Sequence, residues 1–335
     1  MIVKNESQVI QRCLASVKNI VDYWVIVDTG STDGTQKMIK EFMRGIPGEL
    51  HERPWVNFSH NRNEVLVLSK NKGDYLLFID ADEELVFSKP FDKQVLDKDF
   101  YSVIVRQSGI VDSQRILLVN HALDWSWKGV LHEDILSSQA KKYEVLKDVI
   151  NFHREGGRRS LDPKKYYQDA QILEKALEED PTNTRYIFYL AESYAKVQEY
   201  SLALKNYEKR VGMGGWDQEV FWSLYNVGRM QENLQMDPQA IIKSYSKAFQ
   251  YRPSRAEPLY RLANYYCRTE NYLLGYLISK FALSIPLSSD PVNVEQWIYD
   301  YGVLFEFANC CYWLGNYAEA RSACVQLLSN QNLPL

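Results

Sequence analysis

Several features that mark common classes of protein are missing from this sequence of 335 residues. No apolar run approaches the roughly 18 to 20 residues that a membrane-spanning helix needs. The first residues also show no basic segment followed by an apolar one, as a secretion signal would. Lys and Arg total 39 against 43 Asp and Glu, so a basic surplus for nucleic-acid binding is absent too. We therefore expect no membrane span and no nucleic-acid partner.

Cysteine is scarce, and its spacing is not that of a metal site or a disulfide framework. The chain has five cysteines and no CxxC pair, which is typical of reduced thiols in a cytoplasmic protein. The glycine-rich signatures GxGxxG and GxxxxGKS/T are absent, so neither a Rossmann dinucleotide site nor a P-loop is expected. All five histidines lie in the first 153 residues, and we expect the site chemistry in that half.

Residues 1–155 alternate between strand-like and helix-like segments. Apolar, β-rich runs occur at residues 23–27 and 75–79, and turn residues and helical patterns separate them. This alternation predicts an α/β domain with a mainly parallel sheet covered by helices. In such sheets, ligands bind beyond the carboxyl ends of the strands.

From about residue 162 the pattern becomes helical, and small residues recur twelve positions apart. Such spacing lets paired antiparallel helices approach closely. It resembles tetratricopeptide repeats, with an insertion near residues 286–298. Repeats of this kind stack into a solenoid that binds peptides or other partners; a non-repetitive helical bundle is the alternative. The four pairs are Ala191 and Ala203, Gly228 and Ala240, Ala263 and Gly275, and Ala308 and Ala320.

Acidic side chains follow two of the predicted strands. Asp80 and Asp82 of FIDADEE supply hard oxygen ligands that suit Mg²⁺ or Mn²⁺, unless they form a solvated acidic turn. Asp28 of VIVDTGSTDGT stands before a tight turn, where its carboxylate can accept a hydrogen bond from a nucleobase N–H. A simple capping turn is the alternative there.

Taken together, these stretches resemble the family-2 glycosyltransferases of the GT-A fold. MIVKNES, VIVDTGSTDGT, FSHNRNEVL, GDYLLFIDADEE and WKGVLHEDI occur in the order found in that family, within residues 1–155. The resemblance is to bacterial members with C-terminal tetratricopeptide repeats, which glycosylate peptides or build surface glycans. MIVKNES reads as the end of a strand that we expect to begin upstream of Met1.

The resemblance implies a fold and a division of the chain. Residues 1–155 are expected to form an α/β GT-A domain, Rossmann-like and with a mainly parallel sheet. Residues 156–182 are expected to form a linker and a first helix. Residues 183–335 are expected to form an all-α tetratricopeptide-like solenoid.

The resemblance also implies which residues bind the nucleotide. Asp28 is expected to contact the base, in a pocket lined by Asn5 and Glu6. Arg62 is expected to approach the base or the diphosphate, with Asn63 in support. Arg62 would then neutralise charge on the departing nucleoside diphosphate.

A divalent ion is implied as well. Asp82 is expected to bind Mn²⁺ or Mg²⁺ bridging the diphosphate, and Asp80 to face the ribose and the metal. His153 is expected to complete the metal site through its imidazole; a surface histidine is the alternative.

The stretch WSWKGVLHED carries the expected acceptor side. An inverting transfer needs a base that deprotonates the acceptor, and the resemblance places it at Glu133, with Asp134 as the alternative. Trp125 and Trp127 are expected either to stack against a sugar or to pack under a flap, and Trp127 is assigned to the donor site.

These observations predict a cytoplasmic inverting glycosyltransferase. It would move a hexose-type sugar from a nucleotide-sugar, expected to be a UDP-sugar, to a peptide, protein or surface-glycan acceptor. The repeats would bind a protein partner or a second copy of the chain. Two alternatives remain open: a catalytically silent GT-A relic that serves as a scaffold, and a sugar nucleotidyltransferase.

Overall fold

The computed structural model describes residues 1–107, 111–154, 156–159, 161–291 and 293–330. Residue 155 at the predicted domain boundary, residue 160 of the predicted linker, and residues 292 and 331–335 of the predicted solenoid lie outside these ranges. Apart from residues 110–112, the chain divides into two compact units, the first ending at Ala176 and the second beginning at Leu177. Within the ranges given, none of the helices has the length and apolarity that a bilayer crossing requires.

The first unit begins with a small parallel sheet, which confirms the predicted α/β domain. Its strands β1 (Ile2–Val3), β2 (Trp24–Asp28) and β3 (Gly48–Glu52) pair in the order β1-β2-β3. The helices of this region are α1 (Ile10–Val17), α2 (Thr35–Phe42) and α3 (Phe58–Leu68). Because the strands are parallel, the carboxyl ends of β1 and β2 meet at one edge, beside the turn that follows Asp28.

A second sheet of the first unit is mixed. Its strands are β4 (Tyr75–Leu77), β5 (Glu83–Phe87), β6 (Phe100–Gln107), β7 (Val111–Asn120) and β10 (Tyr143–His153), in the order β4-β7-β6-β10-β5. A separate antiparallel hairpin joins β8 (Ser126–Lys128) to β9 (Asp134–Leu136). β10 is parallel to β6, whereas β4–β7 and β5–β10 are antiparallel. The expected mainly parallel pairing therefore applies to the first sheet and not to the second.

Buried apolar residues between and beside the acids anchor the acidic motif, residues 80–84, in the first unit. Phe78 packs with Trp127, whereas Ile79, Ala81 and Leu85 belong to the main core between α1 and the sheets. α1 supplies four buried side chains to that core at helical spacing, Ile10, Cys13, Leu14 and Val17. The acids between these anchors are consequently held in defined positions.

The second unit is helical, as predicted. α4 (Lys165–Glu179) contains the division between the units, and the helices described after it are α5 (Thr184–Lys196), α6 (Tyr200–Met213), α7 (Asp217–Asn233), α8 (Pro238–Tyr251), α9 (Glu257–Arg268), α10 (Tyr272–Ala282), α11 (Val303–Trp313) and α12 (Tyr317–Leu328). Consecutive helices from α5 to α12 contact each other. Each predicted pair of small residues places one member on each helix of a hairpin, which confirms the repeat pattern.

Two of these small residues permit close helix contact. A Cβ atom added at Gly228 of α7 would lie 2.7 Å from the ring of Tyr245 on α8. One added at Gly275 of α10 would lie 2.7 Å from Sγ of Cys310 on α11. Both distances are shorter than real Cβ contacts, so glycine is needed for this packing.

The described residues of the predicted insertion contact α7 and the connection between α8 and α9. Asp290 forms ion pairs with Arg252 and Arg255, and Glu295 accepts a hydrogen bond of 2.5 Å from the hydroxyl of Tyr225 on α7. Residues 218–228 of α7 are all buried, including the polar ones. The helix is therefore enclosed by its own chain.

Candidate functional site

The acidic motif lies where strands of the mixed sheet end. The pairing of β4 with β7 continues past Leu77, because the amide of Phe78 donates to the carbonyl of Leu117 at 2.8 Å. After the turn, β5 runs antiparallel to β10 and places His153 opposite Glu83. This register explains why a histidine some seventy residues downstream lies beside the acids.

Arg62 connects the acidic motif to the predicted acceptor side. Its Nη2 donates to both carboxylate oxygens of Asp80, at 2.8 and 3.0 Å, and its Nε donates to Oε1 of Glu133 at 2.5 Å. The guanidinium also lies 4.8 Å from the ring centroid of Trp127. Burial alone would raise the pKa of Asp80, but the charges of Arg62 and Arg115 outweigh it and lower that pKa.

Asp82 and His153 form a second pair beside this cluster. Oδ2 of Asp82 lies 3.7 Å from Nε2 of His153. Burial raises the pKa of Asp82, and the nearby charges of Asp80 and Glu83 add to this effect, whereas His153 opposes it. A carboxylate that is costly to ionise in this setting is stabilised by a cation.

A divalent ion is compatible with these donors. Among the described residues, no group of three or more His, Cys, Asp or Glu side chains is arranged to hold an ion. Ions in nucleotide sites commonly take only one or two protein ligands and complete their shell with phosphate oxygens and water. Asp82 and His153 can supply one oxygen and one nitrogen ligand. Both oxygens of Asp80 already accept hydrogen bonds from Arg62, so Asp80 fits a supporting role better than that of a ligand.

Asp28 presents an unused acceptor at the end of β2. Its side chain is fully buried, and Oδ1 accepts hydrogen bonds from the amides of Gly30 and Ser31 and from Gln36, at 2.8 to 3.0 Å. Oδ2 is buried, and no donor from the described residues reaches it. One oxygen of Asp28 therefore organises the turn, and the other is left as an acceptor for a ligand.

Asn5 and Glu6 lie beside this turn. Asn5, with a φ of 57°, holds the turn, because its Oδ1 accepts from the amide of Thr32 at 2.8 Å. Glu6 faces the acids, and its Oε2 accepts from the amide of Arg158 at 3.2 Å. Burial, reinforced by the charges of Asp82 and Asp33, raises the pKa of Glu6 to about 7.

The predicted acceptor-side residues differ in how they are placed. Oε1 of Glu133 binds Arg62, while no donor in the described part of the chain reaches Oε2. Asp134 begins β9, next to the buried Ile135, so strand alternation directs its side chain away from that core.

Trp127 is packed inside the first unit, and Asn63 holds its backbone. Trp127 is 7 % exposed and packs edge-on against Phe78, with ring centroids 5.1 Å apart. Asn63 bonds both backbone groups of Trp127, at 2.8 and 3.0 Å. The prediction that Trp127 stacks on a sugar does not fit this burial, and the packing alternative describes it. Trp125 is half-buried and bonds the carbonyl of Asn120 at 2.7 Å.

Two further residues of the site were given no role from the sequence. Glu83 is buried and accepts hydrogen bonds from the amide of Asp80, at 2.9 Å, and from Arg115, at 2.6 Å. Arg115 comes from β7, where it lies opposite Asp80. Arg115 could have been found only from the pairing of β4 with β7, and the sequence did not reveal that pairing.

Comparison with known proteins identifies the N-terminal segment. A model described as glycosyl transferase family 2 matches residues 1–89. A TPR repeat-containing protein of Synechococcus elongatus is 40 % identical over 87 residues, which are 26 % of this chain and 20 % of that protein. An uncharacterized glycosyltransferase of Rickettsia bellii is 36 % identical over 85 residues, covering 25 % and 27 %.

Longer but weaker matches also occur. The SPbeta prophage-derived glycosyltransferase SunS of Bacillus subtilis is 24 % identical over 205 residues, covering 56 % of this chain and 47 % of SunS. The chain thus spans about a fifth to a half of the length of these relatives. The match with the crystal structure of MamA covers 50 % of this chain and 89 % of the MamA chain, with 16 % sequence identity and a TM-score of 0.42.

Proposed function

Because residues 1–89 match the model described as glycosyl transferase family 2, we propose that this chain is a cytoplasmic inverting glycosyltransferase. It moves a hexose-type sugar from a nucleotide-sugar, in our proposal a UDP-sugar, to a peptide, protein or surface-glycan acceptor. One observation carries the proposal. Arg62 holds Asp80 of the acidic motif and Glu133 of the acceptor side in one cluster, next to Asp82 and His153.

The donor is held by groups around the ends of β2 and β4. Oδ2 of Asp28 accepts a hydrogen bond from a ring N–H of the base. Asp82 and His153 would hold Mn²⁺ or Mg²⁺, which when bound would neutralise charge on the diphosphate. Asp80, fixed by Arg62, would face the ribose.

Glu133 is the proposed base. Its Oε2 takes the proton from the acceptor nucleophile as that atom attacks the anomeric carbon and the carbon–oxygen bond to the diphosphate breaks. Displacement from the face opposite the leaving group inverts the configuration. Arg62 is a positioning residue, since it holds Glu133 through Oε1 and leaves Oε2 available. Asp134, one residue further, is the alternative base.

The helical unit supports a macromolecular partner. Stacked helix hairpins of the tetratricopeptide kind present extended surfaces to peptides and proteins. We propose that this unit receives the acceptor or another protein, or joins two copies of the chain.

Calorimetric titration tests the donor site. UDP and then a panel of UDP- and GDP-sugars are titrated with and without Mn²⁺. Metal-dependent binding of one nucleotide class at micromolar concentration supports the proposal. Absence of binding in a folded sample would favour the scaffold alternative, and release of pyrophosphate during turnover would favour a nucleotidyltransferase.

Two substitutions separate metal binding from base catalysis. We expect Asp82→Asn to abolish metal-dependent binding of the donor and Glu133→Gln to keep binding but lower transfer by about 10²- to 10⁴-fold, as loss of a general base does. Titration and a transfer assay measure the two effects. Unchanged metal-dependent binding in the first variant would refute the metal assignment, and full activity in the second would move the base to Asp134.

A further inference from the structure

We propose that Arg115 binds the diphosphate of the donor through the N–H groups of its guanidinium that Glu83 does not engage. This inference rests on the proposed function and adds to it a residue outside the acidic and acceptor-side motifs. Arg115 lies on β7 and contacts Asp80 and Glu83 of the acidic motif.

Strand pairing explains the position of Arg115. Leu77 pairs with Leu118, and the amide of Phe78 bonds the carbonyl of Leu117. Continuing this antiparallel register by two residues brings Arg115 opposite Asp80. Nη1 of Arg115 lies 3.8 Å from Oδ2 of Asp80.

Glu83 holds one nitrogen of this guanidinium and leaves the N–H groups of the other two available. Nη2 of Arg115 donates to the buried carboxylate of Glu83 at 2.6 Å. Over the described parts of the chain, Nη1 and Nε of Arg115 make no hydrogen bond. The side chain is 38 % exposed, so these donors can reach a ligand.

Arg62 is less suited to this task. Its side chain is 11 % exposed, and its Nε and Nη2 already bind Glu133 and Asp80. A diphosphate oxygen approaching Arg62 would have to compete with both carboxylates. The expectation that Arg62 neutralises the leaving group is therefore better transferred to Arg115, while Arg62 positions the acids.

The charge of the site supports this assignment. Four carboxylates lie close to the expected path of the diphosphate, those of Asp80, Asp82, Glu83 and Glu133. A single divalent ion does not balance these groups together with the diphosphate. A guanidinium presents paired N–H donors that match phosphate oxygens and keeps its charge at all relevant pH values.

The same contact assists the transfer step. As the bond from the anomeric carbon to the diphosphate oxygen breaks, its electron pair passes to that oxygen, and the acceptor forms the new bond to carbon. The proton of the acceptor goes to Glu133. Donors already aimed at the leaving oxygens stabilise the charge that develops there.

Comparing UDP with uridine tests the proposal, because only UDP carries the diphosphate. In the full-length protein with Mn²⁺, we expect Arg115→Gln to weaken UDP binding by about 10- to 100-fold and to leave uridine binding unchanged. Arg115→Lys should retain part of the UDP affinity, since it keeps the charge but loses the paired donors. Lys89→Gln removes one charge from an exposed pair at the far end of β5 and serves as the control.

Three results would overturn the inference. Unchanged UDP affinity in Arg115→Gln, with slower transfer, would place Arg115 on the acceptor. Equal losses for UDP and uridine would mean that Arg115 only supports Glu83 and Asp80. If the unsubstituted protein binds neither UDP nor uridine, the proposed function fails together with this inference. The first two results, in contrast, overturn only the role of Arg115.

Discussion

Gly157 determines how closely the chain after β10 approaches the acidic motif. A Cβ atom added there would lie 2.8 Å from Cβ and Cγ of Asp82 and would overlap its carboxylate. We expect Gly157→Ala to displace that carboxylate and weaken Mn²⁺-dependent binding of UDP about tenfold, while the fold is kept. Calorimetric titration with and without Mn²⁺ measures the loss, and circular dichroism checks the fold.

Gly73 provides a matched control for this substitution. A Cβ atom there would meet only the carbonyl of Tyr75, at the ordinary distance of 3.5 Å. Gly73→Ala should therefore bind UDP and Mn²⁺ as the unsubstituted protein does. If Gly157→Ala also binds normally, Asp82 is not a ligand or the loop moves without cost.

Glu6 makes stability depend on pH. Its pKa of about 7 in the folded protein exceeds the ordinary 4.5, chiefly because of burial. Below pH 4.5 both states hold the proton and Glu6 has no effect; as pH rises to 7, the unfolded state releases it first and the folded state loses relative stability. We expect Glu6→Gln to stabilise the protein by roughly 1 to 2 kcal/mol at pH 8, after discounting for partial exposure, and not at pH 4.

Urea unfolding at these two pH values measures the effect. The amide of glutamine keeps an oxygen that can accept from Arg158, so the hydrogen-bond count is preserved. An equal stability difference at pH 4 and pH 8 would show that Glu6 acts through packing and not through its charge.

Individual residues of the site were predictable to different degrees. Asp28, Asp80 and Asp82 stand at strand ends, and local patterns suffice to place them. His153 meets Asp82 through the pairing of β10 with β5, and only the family resemblance suggested that these two residues share a site. The contact of Arg62, on α3, with Glu133 was not expected from the sequence. Arg115 lacked both signals.

At the scale of helices, two glycines in the second unit should respond to alanine in opposite directions. Gly228→Ala would force a methyl group against the ring of Tyr245, and we expect a loss of roughly 1 to 3 kcal/mol. Gly212, within α6, has no atom within 4 Å of an added Cβ. Gly212→Ala should stabilise the protein by about 0.5 to 1 kcal/mol, because alanine favours helix. Chemical denaturation followed by circular dichroism compares them, and equal signs would contradict the packing argument.

The strands show why local sequence could not give the mixed sheet. The run at 75–79 predicted a strand, and β4 does lie within it, but its partner β7 begins more than thirty residues later. The acids that follow this run are expected to hold a cation, and the sequence did not indicate that β5 starts among them, at Glu83. β4 and β5 follow each other closely in the sequence but occupy opposite ends of the strand order, so their closeness did not indicate which strands they pair with.

The segment before α11 changes what the repeats can bind. Asp290 pairs with two arginines, and Glu295 accepts a hydrogen bond from Tyr225. A partner that binds at this part of the helical unit must therefore contact this segment or displace it. The sequence indicated an insertion near 286–298, but not that it contacts α7.

For the molecule as a whole, sequence composition and packing place the boundary between the two units at different residues. The pattern turns helical near residue 162, and the predicted boundaries at 155 and 182 bracket the division at Ala176. α4 carries the chain through that division. The composition of a helix does not reveal where along it the packing changes from one unit to the next, so the division at Ala176 could be located only from the structure.

The unpartnered oxygen of Asp28 also bears on which nucleotides are admitted. Uracil and guanine carry a hydrogen on the ring nitrogen between or beside their carbonyl groups, whereas cytosine has a lone pair at the corresponding nitrogen. A buried carboxylate oxygen facing that lone pair would be left without a donor, which costs free energy. We therefore expect cytidine nucleotides to be rejected by the base pocket before any sugar is recognised.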